Sequence, residues 1–226
     1  QTFFAAAKEN TRYAINGVMC EKVGKKLAMV STDGRRLARA VGPAEQSVGD
    51  DRQMIIPAKT VSVLQRVLPN VEGSVGIRFS ENQIIVACGN YVLSSALVEG
   101  HFPNYQEVIP KDNDRRIELN TDEFLSAVKR AALLTNEQSK GVRLAFDKEK
   151  LVLSSRAPEQ GEATISMRIQ FDGPGLEIGF NPAFLSDALK AVGTPTVSVE
   201  LKEANRPGIL KAGQEFLYVV MPVNLS

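Results

Sequence analysis

A long internal repeat restricts this chain to folds built from two copies of one unit. Lys26 has its counterpart in Lys150, 124 positions later, and Gly89 has its counterpart in Gly213 at the same separation. Agreement within one residue over so long a span predicts an internal duplication. The other matching pairs are Gly17 with Gly141, Pro57 with Pro182, and Leu64 with Leu189.

The stretch Leu97–Pro110 interrupts the repeat near the middle of the chain. Gly100 permits a positive φ, and Pro103 removes a backbone donor and keeps Phe102 out of the helical region. Pro110 follows seven residues after Pro103, so this segment is typical of an extended connector. A long surface loop is the alternative. We favour a domain junction and predict domains at 1–105 and 106–226.

The order of apolar patterns predicts an α+β fold in which each unit has two helices packed on antiparallel sheets of about eight strands. Pro57 is predicted as the first residue of one helix, and Thr121 as the N-cap of another. Asn181 is predicted as a third N-cap, followed by Pro182 at the first helical position. The opening residues, TFFAAAKEN, resemble the last turns of a helix, so we expect the chain to be a fragment of a longer protein.

Composition and motifs argue against several functional classes. The longest apolar run, Phe216–Val223, is too short to span a bilayer. Cys20 and Cys88 form no CxxC pair, which favours two buried thiols in a reduced, cytoplasmic setting. The sequence lacks a P-loop, GxGxxG and GxSxG, and its one histidine, His101, has no evident partner. We therefore predict a protein without catalytic activity, metal or cofactor.

Basic residues recur on one face of the predicted helices, although the net charge is only +1. Lys59, Ser62 and Arg66 share a helical face, opposite the apolar stripe. Such a face suits sequence-independent contact with DNA phosphates. A solvated helix face that is basic by chance is the alternative, and spacing alone leaves both open.

Three motifs carry a resemblance to a known family: STDGRRLA (Ser31–Ala38), GHFPNYQEVIP (Gly100–Pro110) and YVVMPV (Tyr218–Val223). In this order and at these separations they resemble the bacterial DNA polymerase III β subunit, the replicative sliding clamp. The resemblance covers essentially the whole chain and implies its second domain (1–105, with the first helix truncated) and third domain (106–226). Weaker similar stretches are RYAING, NEQSKGVRL, APEQGEA and IGFNPAFLSDAL.

The resemblance implies a processivity factor that encircles duplex DNA as a head-to-tail homodimer. Such a protein is a non-catalytic accessory subunit of a DNA polymerase holoenzyme. Leu133 and Leu134 would lie at the dimer seam, and without a first domain we expect no closed ring, which light scattering can check. The implied DNA-contacting residues are Lys8, Arg12, Tyr13, Lys59, Arg66, Lys129, Arg130 and Lys190.

The resemblance also implies a pocket that binds a short motif with Gln and apolar Leu or Phe residues. The expected partners are the polymerase α subunit, the clamp loader and repair proteins. Glu107, Asn224 and Ser226 depart from the family pattern and affect the expected charge preference. A peptide-binding scaffold without a DNA role is the alternative. The implied pocket residues are Arg12, Ile15, Thr32, Gly34, Arg35, Arg36, Leu37, Pro103, Val108, Asn181, Phe184, Pro207, Val219, Met221, Pro222 and Val223.

Overall fold

A computed structural model describes residues 1–8, 14–44, 46–135, 141–157 and 161–225. The chain divides into two compact units, Gln1–Tyr105 and Gln106–Ser226. In both units α-helix packs on antiparallel sheets, which confirms the α+β fold class expected from the sequence.

The first unit contains two antiparallel sheets and one α-helix within its described residues. One sheet has the strand order β4-β1-β2-β3, and the other has the order β5-β6-β7. A 3-10 turn at Phe3–Ala5 occupies the place where the sequence predicted the end of a helix. The elements are β1 (Gly17–Val23), β2 (Lys26–Thr32), β3 (Arg36–Pro43), β4 (Arg52–Pro57), α1 (Ala58–Val67), β5 (Val75–Phe79), β6 (Gln83–Cys88) and β7 (Tyr91–Ala96).

The core of the first unit forms where α1 and the inward faces of both sheets meet. Ile84 and Val86 alternate along β6 with less buried residues, as expected for a strand with one buried face, whereas β1 is buried on both faces from Gly17 to Lys22 and contributes Val18 and Cys20 to the core. Val61 on α1 joins the same buried cluster. This packing holds α1 with its polar face outward.

The second unit contains two four-stranded antiparallel sheets, β11-β10-β9-β12 and β15-β14-β13-β8, and two α-helices that pack against each other. The elements are β8 (Arg115–Asn120), α2 (Thr121–Ala131), β9 (Val142–Asp147), β10 (Lys150–Ala157), β11 (Gly161–Arg168), β12 (Leu176–Phe180), α3 (Pro182–Val192), β13 (Thr196–Leu201), β14 (Gly208–Ala212) and β15 (Phe216–Val220).

The two units share one topology, as the repeat predicted. The order β3-β2-β1-β4 in the first unit corresponds to β11-β10-β9-β12 in the second, and β7-β6-β5 corresponds to β15-β14-β13. β2 and β10 begin at the matched residues Lys26 and Lys150. Gly89 and Gly213 close equivalent hairpins with φ of 53° and 58°, a conformation that glycine adopts without steric cost.

Helix starts differ from the sequence prediction at two places. Asn120, not Thr121, caps α2, because the Asn120 side chain accepts a hydrogen bond from the Glu123 amide at 3.0 Å. Pro57 is the N-cap of α1 and still extended, with ψ of 141°, so it is not the first helical residue. Asn181 caps α3 as predicted, accepting from the Ala183 amide at 2.9 Å.

Two predicted strands end early. The strand predicted over Tyr91–Val98 ends at Ala96, and the one predicted over Phe216–Val223 ends at Val220. Pro222 cannot donate to a sheet, which accounts for the second difference. None of the described helices is both long and apolar enough to cross a bilayer.

Candidate functional site

The turn between β2 and β3 is held by several hydrogen bonds of its own residues. Gly34 has a φ of 85°, and its amide donates to Thr32 Oγ1 at 3.1 Å. Asp33 Oδ1 accepts hydrogen bonds from the amides of Arg35 and Arg36 at 3.0 and 3.1 Å. The turn is therefore rigid, and it leaves the Arg35 side chain exposed.

The Arg36 side chain is largely occupied by contacts within the first unit. Its Nε donates to Asp33 Oδ2 at 3.0 Å, and its Nη2 donates to the Phe4 carbonyl at 2.9 Å. The guanidinium also lies 5.6 Å from the centre of the Phe4 ring. These contacts give Arg36 a structural role that the sequence motif did not reveal.

The apolar members of the predicted pocket fall into two groups. Ile15, Leu37 and Val219 are buried, so they contribute to the cores of their units. Met221 and Val108 are 45% and 56% exposed and are available to a ligand. Pro103, Pro207 and Pro222 are half-buried.

In the second unit, the start of α3 is fixed to β15. The Tyr218 hydroxyl donates to the Phe184 carbonyl at 3.0 Å, while Asn181 caps the helix. Met221 follows directly after this fixed strand. Phe184, Asn181 and Met221 are thereby attached to rigid elements.

A polar network around the buried residues Glu21 and Tyr105 holds the end of the first unit in place. The Tyr105 hydroxyl donates to Glu21 Oε2 at 2.7 Å, and Gln53 Nε2 donates to Glu21 Oε1 at 2.6 Å. Tyr105 is itself buried. Because a buried carboxylate needs such partners, this network fixes the backbone that follows Pro103.

The predicted DNA-contacting residues that the structure describes are exposed. Arg66 lies in the last turn of α1, Lys129 and Arg130 in that of α2, and Lys190 in that of α3. Cations in the last turn also stabilise a helix through its macrodipole, so their placement has a structural benefit as well. Within the described part of the chain, none of these four forms an ion pair with a carboxylate.

Lys8 and Lys59 line one cavity of about 550 Å³ in the first unit, next to Phe3, Phe4 and Val98. A second cavity of about 350 Å³ lies near Met54 and His101. Neither cavity is lined by a predicted peptide-binding residue.

Arg12 and Tyr13 lie outside the described residues, as does Ser226. Leu133 is 77% exposed and Leu134 is half-buried. Sequence reasoning missed the role of Tyr105, because its partner Glu21 lies 84 residues away along the chain and in none of the three main motifs.

Family comparisons match both halves of the chain. Residues 1–104 match the central domain of the DNA polymerase III beta subunit, and residues 106–224 match its C-terminal domain. Among curated proteins, the beta sliding clamp of Pseudomonas aeruginosa is 35% identical over 227 residues, and that of Escherichia coli K12 is 35% identical over 226.

The similarity extends to solved structures. A crystal structure of the Pseudomonas aeruginosa DNA polymerase sliding clamp matches with a TM-score of 0.93 and 35% identity, covering 99% of this chain and 62% of that chain. The two curated relatives are matched over 100% and 99% of this chain. This chain spans 62% of the length of each of those relatives.

Proposed function

We propose that this chain acts in DNA replication as part of a sliding clamp, because it belongs to the DNA polymerase III beta subunit family. Its two units match the central and C-terminal domains of that family. In this role it encircles duplex DNA without catalysis and tethers a polymerase to it, which raises the enzyme's effective concentration at the template. The observation that carries the proposal is the family match over both units of the chain.

In the proposed role, the helices face the DNA. The exposed cations Arg66, Lys129, Arg130 and Lys190 support this assignment, because they are not neutralised by carboxylates among the described residues. Contacts of lysine and arginine with phosphates are independent of base sequence and allow a protein to slide. Head-to-tail dimerisation through Leu133 and Leu134 belongs to the same proposal.

The second part of the proposal is that this chain binds short motifs of partner proteins. The partners are the polymerase α subunit, the clamp loader and repair proteins. Met221 supports this part, since it is an exposed, adaptable apolar side chain held next to a fixed strand. The rigid turn around Gly34 supports it too, because a preorganised site loses less entropy on binding.

A salt titration tests the DNA role. The triple variant Lys129→Gln/Arg130→Gln/Lys190→Gln should bind labelled duplex DNA with a flatter dependence of log K on log salt. The expected change in slope is about 0.9 for each lost phosphate contact, measured by fluorescence anisotropy over about 50–200 mM salt.

Its matched control is the triple variant Lys148→Gln/Lys150→Gln/Arg168→Gln, which removes the same charge from exposed positions in the β9–β10 turn, at the start of β10 and at the end of β11. We expect this control to keep the slope of the unaltered chain. Equal slopes for the two triple variants would contradict the assignment of the helices to DNA and would favour the scaffold without a DNA role.

Titration of a labelled Gln-Leu-Phe-type peptide tests the partner site. Met221→Ala should raise Kd by about tenfold, because truncation of an interface anchor costs on the order of 1–2 kcal/mol. Leu133→Ala is the control, since it removes another exposed apolar side chain from the same unit. Equal affinities for the two variants, with unchanged unfolding midpoints, would contradict the assigned site.

A further inference from the structure

The segment that follows β15 returns to the other sheet of the second unit. β15 ends at Val220, and three residues later the Val223 amide donates to the Gly179 carbonyl at 2.9 Å. Gly179 lies on β12, which pairs with β9 on its other side and forms the edge of the sheet β11-β10-β9-β12. Residues 221–225 therefore act as a strap from one sheet to the edge of the other.

Two glycines make room for the end of this strap. A Cβ added to Gly179 would lie 2.5 Å from Leu225 Cγ, and one added to Gly141 would lie 2.5 Å from Leu225 Cδ2. The Val223 side chain lies equally close to Gly141, with 2.6 Å between Cγ2 and an added Cβ. Real Cβ atoms do not approach this closely, so the Leu225 side chain occupies space that exists only because both positions are glycine.

Neither glycine is required by its backbone conformation. Neither Gly141 nor Gly179 has a positive φ, and Gly179 pairs with Arg143 as an ordinary strand residue. Alanine would therefore be acceptable to the backbone at Gly179. Glycine is needed there because the strap occupies the space that a Cβ would fill.

We infer that Gly141 and Gly179 form a latch for Leu225, and that this latch positions Met221 and Pro222 for the partner peptide. The inference rests on the proposed peptide-binding function. Met221 lies between two anchors: β15 on one side and the Val223–Gly179 hydrogen bond on the other. If the second anchor is released, Met221 is attached at one end only. Peptide binding must then order the Met221 segment, which costs more conformational entropy than in the chain with both anchors.

Gly179→Ala tests the latch in the intact 226-residue chain. We expect this variant to raise the Kd for the labelled Gln-Leu-Phe-type peptide by about tenfold and to speed hydrogen exchange at the Val223 amide. Gly175→Ala is the matched control, because a Cβ at Gly175 meets only the Phe146 carbonyl oxygen, at an ordinary 3.5 Å. The control should leave both measurements unchanged.

Leu225→Ala provides a second variant that leaves the sheet unaltered. It should weaken peptide binding in the same direction, and the double variant Gly179→Ala/Leu225→Ala should be little worse than either single variant, because both release one latch. Additive losses in this cycle would overturn the inference.

The remaining outcomes separate the latch from the proposed function. If Gly179→Ala speeds hydrogen exchange at the Val223 amide but leaves the peptide affinity unchanged, the positioning role is overturned. If hydrogen exchange at this amide is unchanged in both single variants, the latch itself is overturned. Failure of the unaltered chain to bind the peptide contradicts the proposed function instead. In that case, faster exchange at Val223 in Gly179→Ala alone still supports the latch.

Discussion

Alkylation of Cys20 by iodoacetamide is expected to be at least about a thousandfold slower in the folded chain than in the unfolded chain at about pH 8. The thiolate is the reactive form, and its fraction falls tenfold for each unit by which the pKa rises. Burial, with a further contribution from the charge of Glu21, raises the pKa of Cys20 from 9.0 to about 12. The side chain is also fully buried, beside Val18 and Ile56 in the core.

The pH profile of this reaction shows whether Cys20 reacts only after the chain opens. In the unfolded chain the alkylation rate should level off once pH exceeds the ordinary thiol pKa of 9.0. In the folded chain it should follow the same pH dependence at a lower rate, because the fully buried thiol is alkylated only in transiently opened molecules. Site-resolved mass spectrometry gives both rates. A folded rate within about tenfold of the unfolded rate at about pH 8 would contradict the prediction.

The repeat made much of the fold predictable. Lys26 and Lys150 begin equivalent strands, and Gly89 and Gly213 occupy equivalent turns, because duplicated sequence retains the same local requirements. The prediction was wrong by one residue at Thr121. Asn120 and Thr121 are both suitable cap residues, and only the side-chain hydrogen bond to Glu123 distinguishes them.

The candidate sites were harder to predict from the sequence than the fold was. The proposed residues come from a resemblance, and spacing alone left the basic helix faces ambiguous. Arg36 illustrates the reason, since the Phe4 carbonyl that binds its guanidinium lies 32 residues away along the chain. The latch is a similar case: nothing near Gly179 in the sequence indicates that Leu225 needs the space above it.

Truncation of Phe124 is expected to destabilise the second unit strongly. Phe124 is 1% exposed and lies on the apolar face of α2, which packs against α3, β10 and β11. Phe124→Ala should lower the free energy of unfolding by about 3–5 kcal/mol, through lost burial and the cavity left behind. Urea unfolding followed by circular dichroism measures the loss.

The same helix offers a control for this core change. Lys129→Ala alters an exposed position of α2, so it should change the free energy of unfolding by less than about 0.5 kcal/mol. A loss below about 1 kcal/mol in Phe124→Ala would mean that the helix is not anchored by this ring. Because Phe124 fixes the helix that carries Lys129 and Arg130, such a result would also weaken the case that these cations are held in place for DNA.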